Sequence, residues 1–155
     1  MHRVLAVLTA AVLAATLMVA AAPAGAAPPT AVDFTIEETL EVSEGFLKAG
    51  DSIPNCASPV VTTENFRLGG GGDVRTFAGD KVFTCASGDT FTLSFNARVR
   101  DCSATDSGSW RVTGGTGTFA GLRGNGRLVG TYVGGDSCGP PTGIDDNYTG
   151  RFFLP

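Results

Sequence analysis

Apolar and polar residues alternate along most of the chain, the period-two pattern of β-strands with one buried face. The pattern is clearest at residues 90–100, where Phe91, Leu93 and Phe95 share one phase and polar residues occupy the other. Six further segments alternate in the same way: residues 34–42, 60–68, 74–86, 109–114, 127–133 and 147–154. Residues 69–72, all glycine, are predicted to form a flexible turn between two of them. No segment beyond residue 26 has the spacing of an amphipathic helix, so the sequence predicts an all-β domain of antiparallel strands joined as a meander.

The first 26 residues have the features of an export signal. Arg3 supplies positive charge, residues 4–22 are an apolar run, and Pro23 ends that run before the small residues that signal peptidase reads. This predicts cleavage after Ala26 and a secreted mature chain, residues 27–155, that forms one domain. The alternative is an uncleaved membrane anchor, because the run is almost long enough to span a bilayer. No second run of that length follows, so no membrane contact is expected after cleavage.

The composition of the predicted mature chain excludes several classes of function. Without Arg3, ten basic residues face 15 acidic ones, and the resulting net charge of −5 gives no footprint for nucleic acid. The only histidine is His2, which excludes Ser-His-Asp and Cys-His catalysis and His-ligated metal sites. Asp145 and Asp146 could help to bind calcium, but such a pair also suits a solvated turn before a strand. We expect neither a metal nor a cofactor.

Four cysteines in an exported domain predict two disulfides, and the chain has no Cys-x-x-Cys pair that would indicate zinc. In an antiparallel meander, Cys56 precedes one strand at the end of the sheet where Cys85 leaves the next. Cys102 and Cys138 follow two strands that both finish at the opposite end. Strand order therefore predicts the pairs Cys56–Cys85 and Cys102–Cys138.

Residues 115–120 match the dinucleotide-binding fingerprint G-x-G-x-x-A after a strand, and Asp136 lies about 20 residues downstream, where a ribose-binding acid is expected. The fingerprint requires a helix that begins within it, so that the helix N-terminus meets a pyrophosphate. Gly121, Gly124 and Gly126 follow too closely for a stable helix. We therefore do not expect this segment to bind a dinucleotide.

Residues 110–126, WRVTGGTGTFAGLRGNG, resemble the strand, glycine-rich turn and strand of allene oxide cyclase and dirigent proteins, and of bacterial secreted proteins with that barrel. The glycines allow positive φ in a tight connection, and Phe119 can plug the end of a barrel. The resemblance implies an eight-stranded antiparallel β-barrel, often trimeric in that family. The family's catalytic residues lie outside the matching segment, so none is transferred. Alternation identifies seven strands, and splitting the third at Gly79 would supply the eighth.

Glu38 shares the phase of the apolar residues of the first strand and should point inward. A buried carboxylate is costly unless paired, and burial raises its pKa towards a range suited to acid–base work. Glu38 is therefore the one catalytic candidate. The alternative, which we favour, is a structural role in a local bulge or in an ion pair with Arg98 or Arg111.

Several aromatic residues of the predicted strands are candidates for a ligand pocket. Trp110, Phe152 and Phe153 could line its mouth, although aromatic residues in strands more often pack in a core or at a subunit contact. Tyr132 and Tyr148 could donate hydrogen bonds to a ligand. The predicted pocket set comprises Glu38, Trp110, Tyr132 and Tyr148.

Three functions remain open from the sequence. The first, which we favour, is a non-enzymatic secreted module that binds a small apolar ligand or an extracellular protein. The second is an isomerase or stereochemical guide of the allene oxide cyclase or dirigent type, with Glu38 as its acid–base group. The third is an inhibitor of an extracellular hydrolase that acts through the loop at residues 101–109. A cavity with Glu38 on its wall would favour the second, whereas a barrel filled by Phe91, Leu93 and Phe95 would favour the first.

Overall fold

The computed structural model describes residues 28–40 and 44–155, and the predicted signal peptide lies outside them. These residues form a closed antiparallel barrel in which every strand pairs with its neighbours in chain order. The predicted all-β meander is therefore confirmed, as is the count of eight strands. The strands are β1 (Thr30–Thr39), β2 (Glu44–Leu47), β3 (Val60–Gly71), β4 (Val74–Thr84), β5 (Thr90–Arg100), β6 (Thr105–Gly115), β7 (Arg123–Val133) and β8 (Gly143–Phe153).

The eighth strand is not the one that the sequence suggested. β4 continues through Gly79, and the additional strand is β2, whose four residues are too few to show alternation. The irregularity expected at Gly79 lies on the partner strand instead, as a bulge in β3 between Glu64 and Arg67. Asn65 takes a positive φ of 50° at the bulge, a conformation that asparagine tolerates better than most residues, and its side chain donates to Asp80.

Most strands extend beyond their predicted bounds, because backbone pairing continues through glycine and polar positions that carry no hydrophobic signal. β3 includes residues 69–71, which were predicted to be a turn. β6 begins at Thr105, so the predicted inhibitory loop at residues 101–109 shortens to a few residues. β8 begins at Gly143, so Asp145 and Asp146 lie within a strand and not in a turn before one. The last part of the predicted strand at 34–42 lies outside the described residues.

One half of the barrel is filled by aromatic side chains. Phe83 stacks on Phe91 with ring centroids 4.5 Å apart, and Phe34 stacks on Tyr148 at 5.2 Å. Phe119, on the 3₁₀ turn Gly117–Phe119, is fully buried against Phe91 and closes this end as the sequence predicted. This region, the closed half, also contains Trp110, Phe152, Leu122 and Val32.

The two disulfides join the predicted partners, one at each end of the barrel. Cys56–Cys85 is buried in the core of the closed half, whereas Cys102–Cys138 is exposed at the opposite end. No cysteine in the described part of the chain is free. Two such cross-links are typical of proteins that fold in an oxidising environment of the extracellular type.

Within residues 28–40 and 44–155, no helix is long and apolar enough to cross a membrane.

Candidate functional site

The half of the barrel opposite Phe119 contains a cavity of about 420 Å³ that opens to solvent. We call this region the open half. The cavity lies where β1 ends and where β4, β6 and β8 begin, and the Cys102–Cys138 end of the barrel forms part of its rim. Its walls are formed by residues of seven strands and of the β7–β8 connection, among them Glu38, Thr63, Phe66, Phe77, Lys81, Phe95, Ala97, Asp106, Leu128, Tyr132, Ile144 and Asp146.

The apolar part of the wall extends past the rim along the β3–β4 hairpin. The bulge in β3 adds one residue, which places Phe66 over the cavity, where its ring stacks on Phe77 at a centroid distance of 6.0 Å. Phe66 is 56% exposed and Leu68 is 62% exposed, although both are large apolar residues. Exposed apolar side chains beside a cavity form an apolar entrance that can receive the body of a ligand.

Lys81 carries the one positive charge buried among the described residues. Its Nζ donates to both carboxylate oxygens of Glu38 and lies 3.4 Å from Oδ2 of Asp146. All three side chains are more than nine-tenths buried. The prediction that Glu38 points inward is confirmed, but its partner is Lys81 and neither Arg98 nor Arg111. Glu38 occupies β1 without a bulge, so the ion pair explains how its charge is accommodated.

One further carboxylate, that of Asp106, faces Asp146 across a glycine. Asp106 of β6, Gly130 of β7 and Asp146 of β8 are direct cross-strand neighbours. A methyl group on Gly130 would lie 2.7 Å from Oδ1 of Asp106 and 2.9 Å from Oδ1 of Asp146, so only glycine leaves room for both. Asp106 accepts from the backbone N–H of Gly130 at 3.1 Å and from the Tyr132 hydroxyl at 3.4 Å.

Burial changes the acidity of this cluster. Desolvation and the charge of Asp146 raise the pKa of Asp106 to about 6. Desolvation also raises the pKa of Glu38 and that of Asp146, against the opposing effect of Lys81. Burial raises the pKa of the Tyr132 and Tyr148 hydroxyls, so both stay protonated and can donate hydrogen bonds. Asp106 can therefore gain or lose a proton near neutral pH.

Thr63 contributes the one buried polar side-chain atom without a hydrogen-bond partner in the described part of the chain. It lies on the cavity wall, and its Oγ1 is the unpaired atom. A buried hydroxyl without a partner costs free energy, and such groups are uncommon in folded proteins.

The four residues of the predicted pocket set lie in different parts of the barrel. Glu38 and Tyr132 line the cavity. Tyr148 lies beneath it, where its hydroxyl is 3.5 Å from Oδ2 of Asp146. Trp110 belongs to the closed half and donates to the Arg127 carbonyl oxygen, so it does not line the cavity. Phe152 is also in the closed half, whereas Phe153 is exposed on the outer surface.

Sequence reasoning missed Lys81 and Asp106, and it considered Asp146 for calcium only. Within the described residues, no group of three His, Cys, Asp or Glu side chains is placed to hold a metal ion. Asp145 and Asp146 point to opposite faces of β8, one to Lys48 at 2.8 Å and the other to Lys81. The signal that selected Glu38, a charged residue in the apolar phase of a strand, applies equally to Lys81. Asp146 lies one residue before the strand predicted at 147–154, so the signal did not extend to it.

Comparison of the chain with protein-family models, with curated proteins and with solved structures finds no match.

Proposed function

We propose that this protein is a secreted binding protein that holds a small amphipathic molecule in the open half of its barrel. The observation that carries the proposal is the cavity, which combines an apolar wall and entrance with four buried charged side chains, one of them on each of four strands. Ligand sites in proteins have this character: mostly apolar, with a few convergent polar groups. The predicted export signal and the two disulfides support an extracellular location.

Two variants of strand β5 test whether the cavity is the binding site. Ala97 is buried on the cavity wall, so Ala97→Phe should fill part of the cavity. Asn96 is exposed on the outer face of the same strand and provides the control, Asn96→Phe. Mass spectrometry of the purified protein should detect a retained small molecule in the native chain and in Asn96→Phe, but not in Ala97→Phe. Equal retention by Ala97→Phe, or no binding from a broad library of amphipathic molecules, would remove the support for this function.

The second candidate is an isomerase or stereochemical guide of the allene oxide cyclase or dirigent type. It is supported by the resemblance at residues 110–126 and by Glu38, which lies on the cavity wall with a raised pKa. Glu38 is engaged by Lys81, however, so Asp106 beside Tyr132 is the better placed proton donor or acceptor. Incubating the recovered molecule with the protein and following it by NMR and chiral chromatography distinguishes turnover from simple binding.

The same resemblance predicts a homotrimer. Sedimentation-equilibrium measurements on the mature chain test that prediction independently of any ligand.

A further inference from the structure

The charges around the cavity do not balance. Glu38, Asp106 and Asp146 provide three buried carboxylates, and Lys81 provides the one buried ammonium. Lys81 is engaged by Glu38 and Asp146, and Asp106 has no cation within salt-bridge distance among the described residues. Arg75 also lines the cavity, but its guanidinium group binds Asp101 and the Ser137 carbonyl oxygen. When all three carboxylates are ionised, the cluster has two more negative charges than Lys81 can neutralise.

The aromatic part of the wall is suited to a positively charged ligand. Phe66, Phe77 and Phe95 line the cavity, and Nζ of Lys81 lies 5.2 Å from the centroid of the Phe95 ring. This cation–π contact shows that the aromatic wall already accepts a positive charge at close range. Aromatic rings combined with carboxylates are the usual means of recognising substituted ammonium groups.

We infer that the ligand of the cavity is an organic cation, an amine or quaternary ammonium with an apolar body, whose charged head lies against Asp106 and Asp146 and whose body lies against the phenylalanine wall. This inference rests on the proposed function, because it requires that the cavity binds a small molecule. The competing arrangement is a cluster whose carboxyl groups are protonated and donate to a neutral oxygen-containing ligand.

Three probes with the same alkyl chain distinguish these arrangements: octyltrimethylammonium, octanol and octanoate. The quaternary ammonium does not titrate, so any dependence of its affinity on pH comes from the protein. Isothermal titration calorimetry on the mature chain at neutral pH should show octyltrimethylammonium binding about tenfold tighter than octanol, with octanoate the weakest.

The affinity for octyltrimethylammonium should rise as the pH increases through about 6, because Asp106 loses its proton in that range. The affinity for octanol should not rise. The charged and titratable groups that act on Asp106 are Lys81, Tyr132, Asp146 and Tyr148. Glu38 and Arg75 lie on the wall of the same cavity.

The variant Asp106→Asn keeps the shape of the side chain and removes its charge. It should abolish the preference for octyltrimethylammonium over octanol, because the affinity for the cation falls further than the affinity for the alcohol. Asp73→Asn is the matched control, because Asp73 lies in the exposed β3–β4 turn at the same end of the barrel but outside the cavity. Equal affinities for the cation and the alcohol in the native chain would overturn the inference and leave the binding function intact. Absence of binding by all three probes would overturn both.

Discussion

The two halves of the barrel are built from the same strands, but one encloses an aromatic core and the other a cluster of buried charges. In the closed half, the inward positions are aromatic, and Phe34, Phe83 and Phe91 are fully buried in contact with one another. In the open half, the same inward phase of the same strands carries Glu38, Lys81 and Asp146. Apolar burial stabilises the first half without opposition, whereas the second must also accommodate buried charges. The fold can therefore keep a costly site at one end because the other end is a fully buried aromatic core.

The largest effect of a substitution on stability is expected in the closed half. Phe83→Ala should lower the free energy of unfolding by about 4 kcal/mol, since it removes a fully buried ring from the aromatic stack. Urea denaturation followed by tryptophan fluorescence measures the change, because Trp110 is also in the closed half. A cost below about 1 kcal/mol would mean that this half is loosely packed.

The next largest effect is expected at the buried ammonium. Lys81→Met should lower the free energy of unfolding by about 3 kcal/mol at neutral pH, because Glu38 and Asp146 lose their counter-charge. The loss should shrink at acid pH, where the carboxylates take up protons. Lys48→Met is the control, since Lys48 forms an exposed ion pair with Asp145 and such pairs contribute little. Similar losses for both variants at every pH would contradict the assignment of Lys81.

A smaller effect should appear in the pH dependence of stability. The pKa of Asp106 is raised from 3.8 to about 6, so the folded state holds a proton that the unfolded state has lost. Titration of Asp106 should therefore lower the free energy of unfolding by about 2–3 kcal/mol as the pH rises across that interval, a contribution that Asp106→Asn lacks. Urea denaturation at several pH values measures the free energy of unfolding of both chains. As the pH rises, the value for Asp106→Asn should increase relative to that of the native chain. A constant difference would show that Asp106 titrates normally.

The smallest effect on stability is expected at the entrance. Phe66→Ala should cost less than about 1 kcal/mol, because the ring is 56% exposed. It should nevertheless weaken binding of the retained molecule several-fold, since Phe66 and Phe77 together form the apolar entrance. Val60→Ala is the control for binding, because Val60 is exposed on the same strand and lies outside the cavity lining. If Phe66→Ala lost as much stability as Phe83→Ala, the two halves would not differ in packing as described.

Most of the fold could be predicted from alternation, because inward and outward positions differ in polarity along β1 and β5. The disulfide pairing followed from strand order alone. The short strand β2 could not be found, since four residues contain no repeated alternation. The extensions of β6 and β8 were missed because their first residues are glycine and polar, although backbone pairing treats them like any other.

The candidate site was only partly predictable for a different reason. Glu38 could be found from its phase in one strand, and the same test applied to every predicted strand would have found Lys81. Asp106 and Asp146 were missed because their strands were predicted to begin at residues 109 and 147. The partnership of Lys81 with Glu38 joins β1 to β4 across the lumen, and sequence phase carries no information about distances across a barrel. Tyr132 lines the cavity and Trp110 does not, because the two residues lie at different depths along the barrel axis. Alternation shows which face of a strand a residue occupies, but not its depth.

The brevity of β2 has a consequence for self-association. β2 joins β1 through four residue pairs and β3 through three, whereas β7 and β8 share eleven. β2 nevertheless is the strand that closes the barrel between β1 and β3. Its detachment would convert the barrel into an open curved sheet, with unpaired backbone groups on β1 and β3 that invite pairing with another chain. Resistance to aggregation in this molecule therefore depends on its shortest strand.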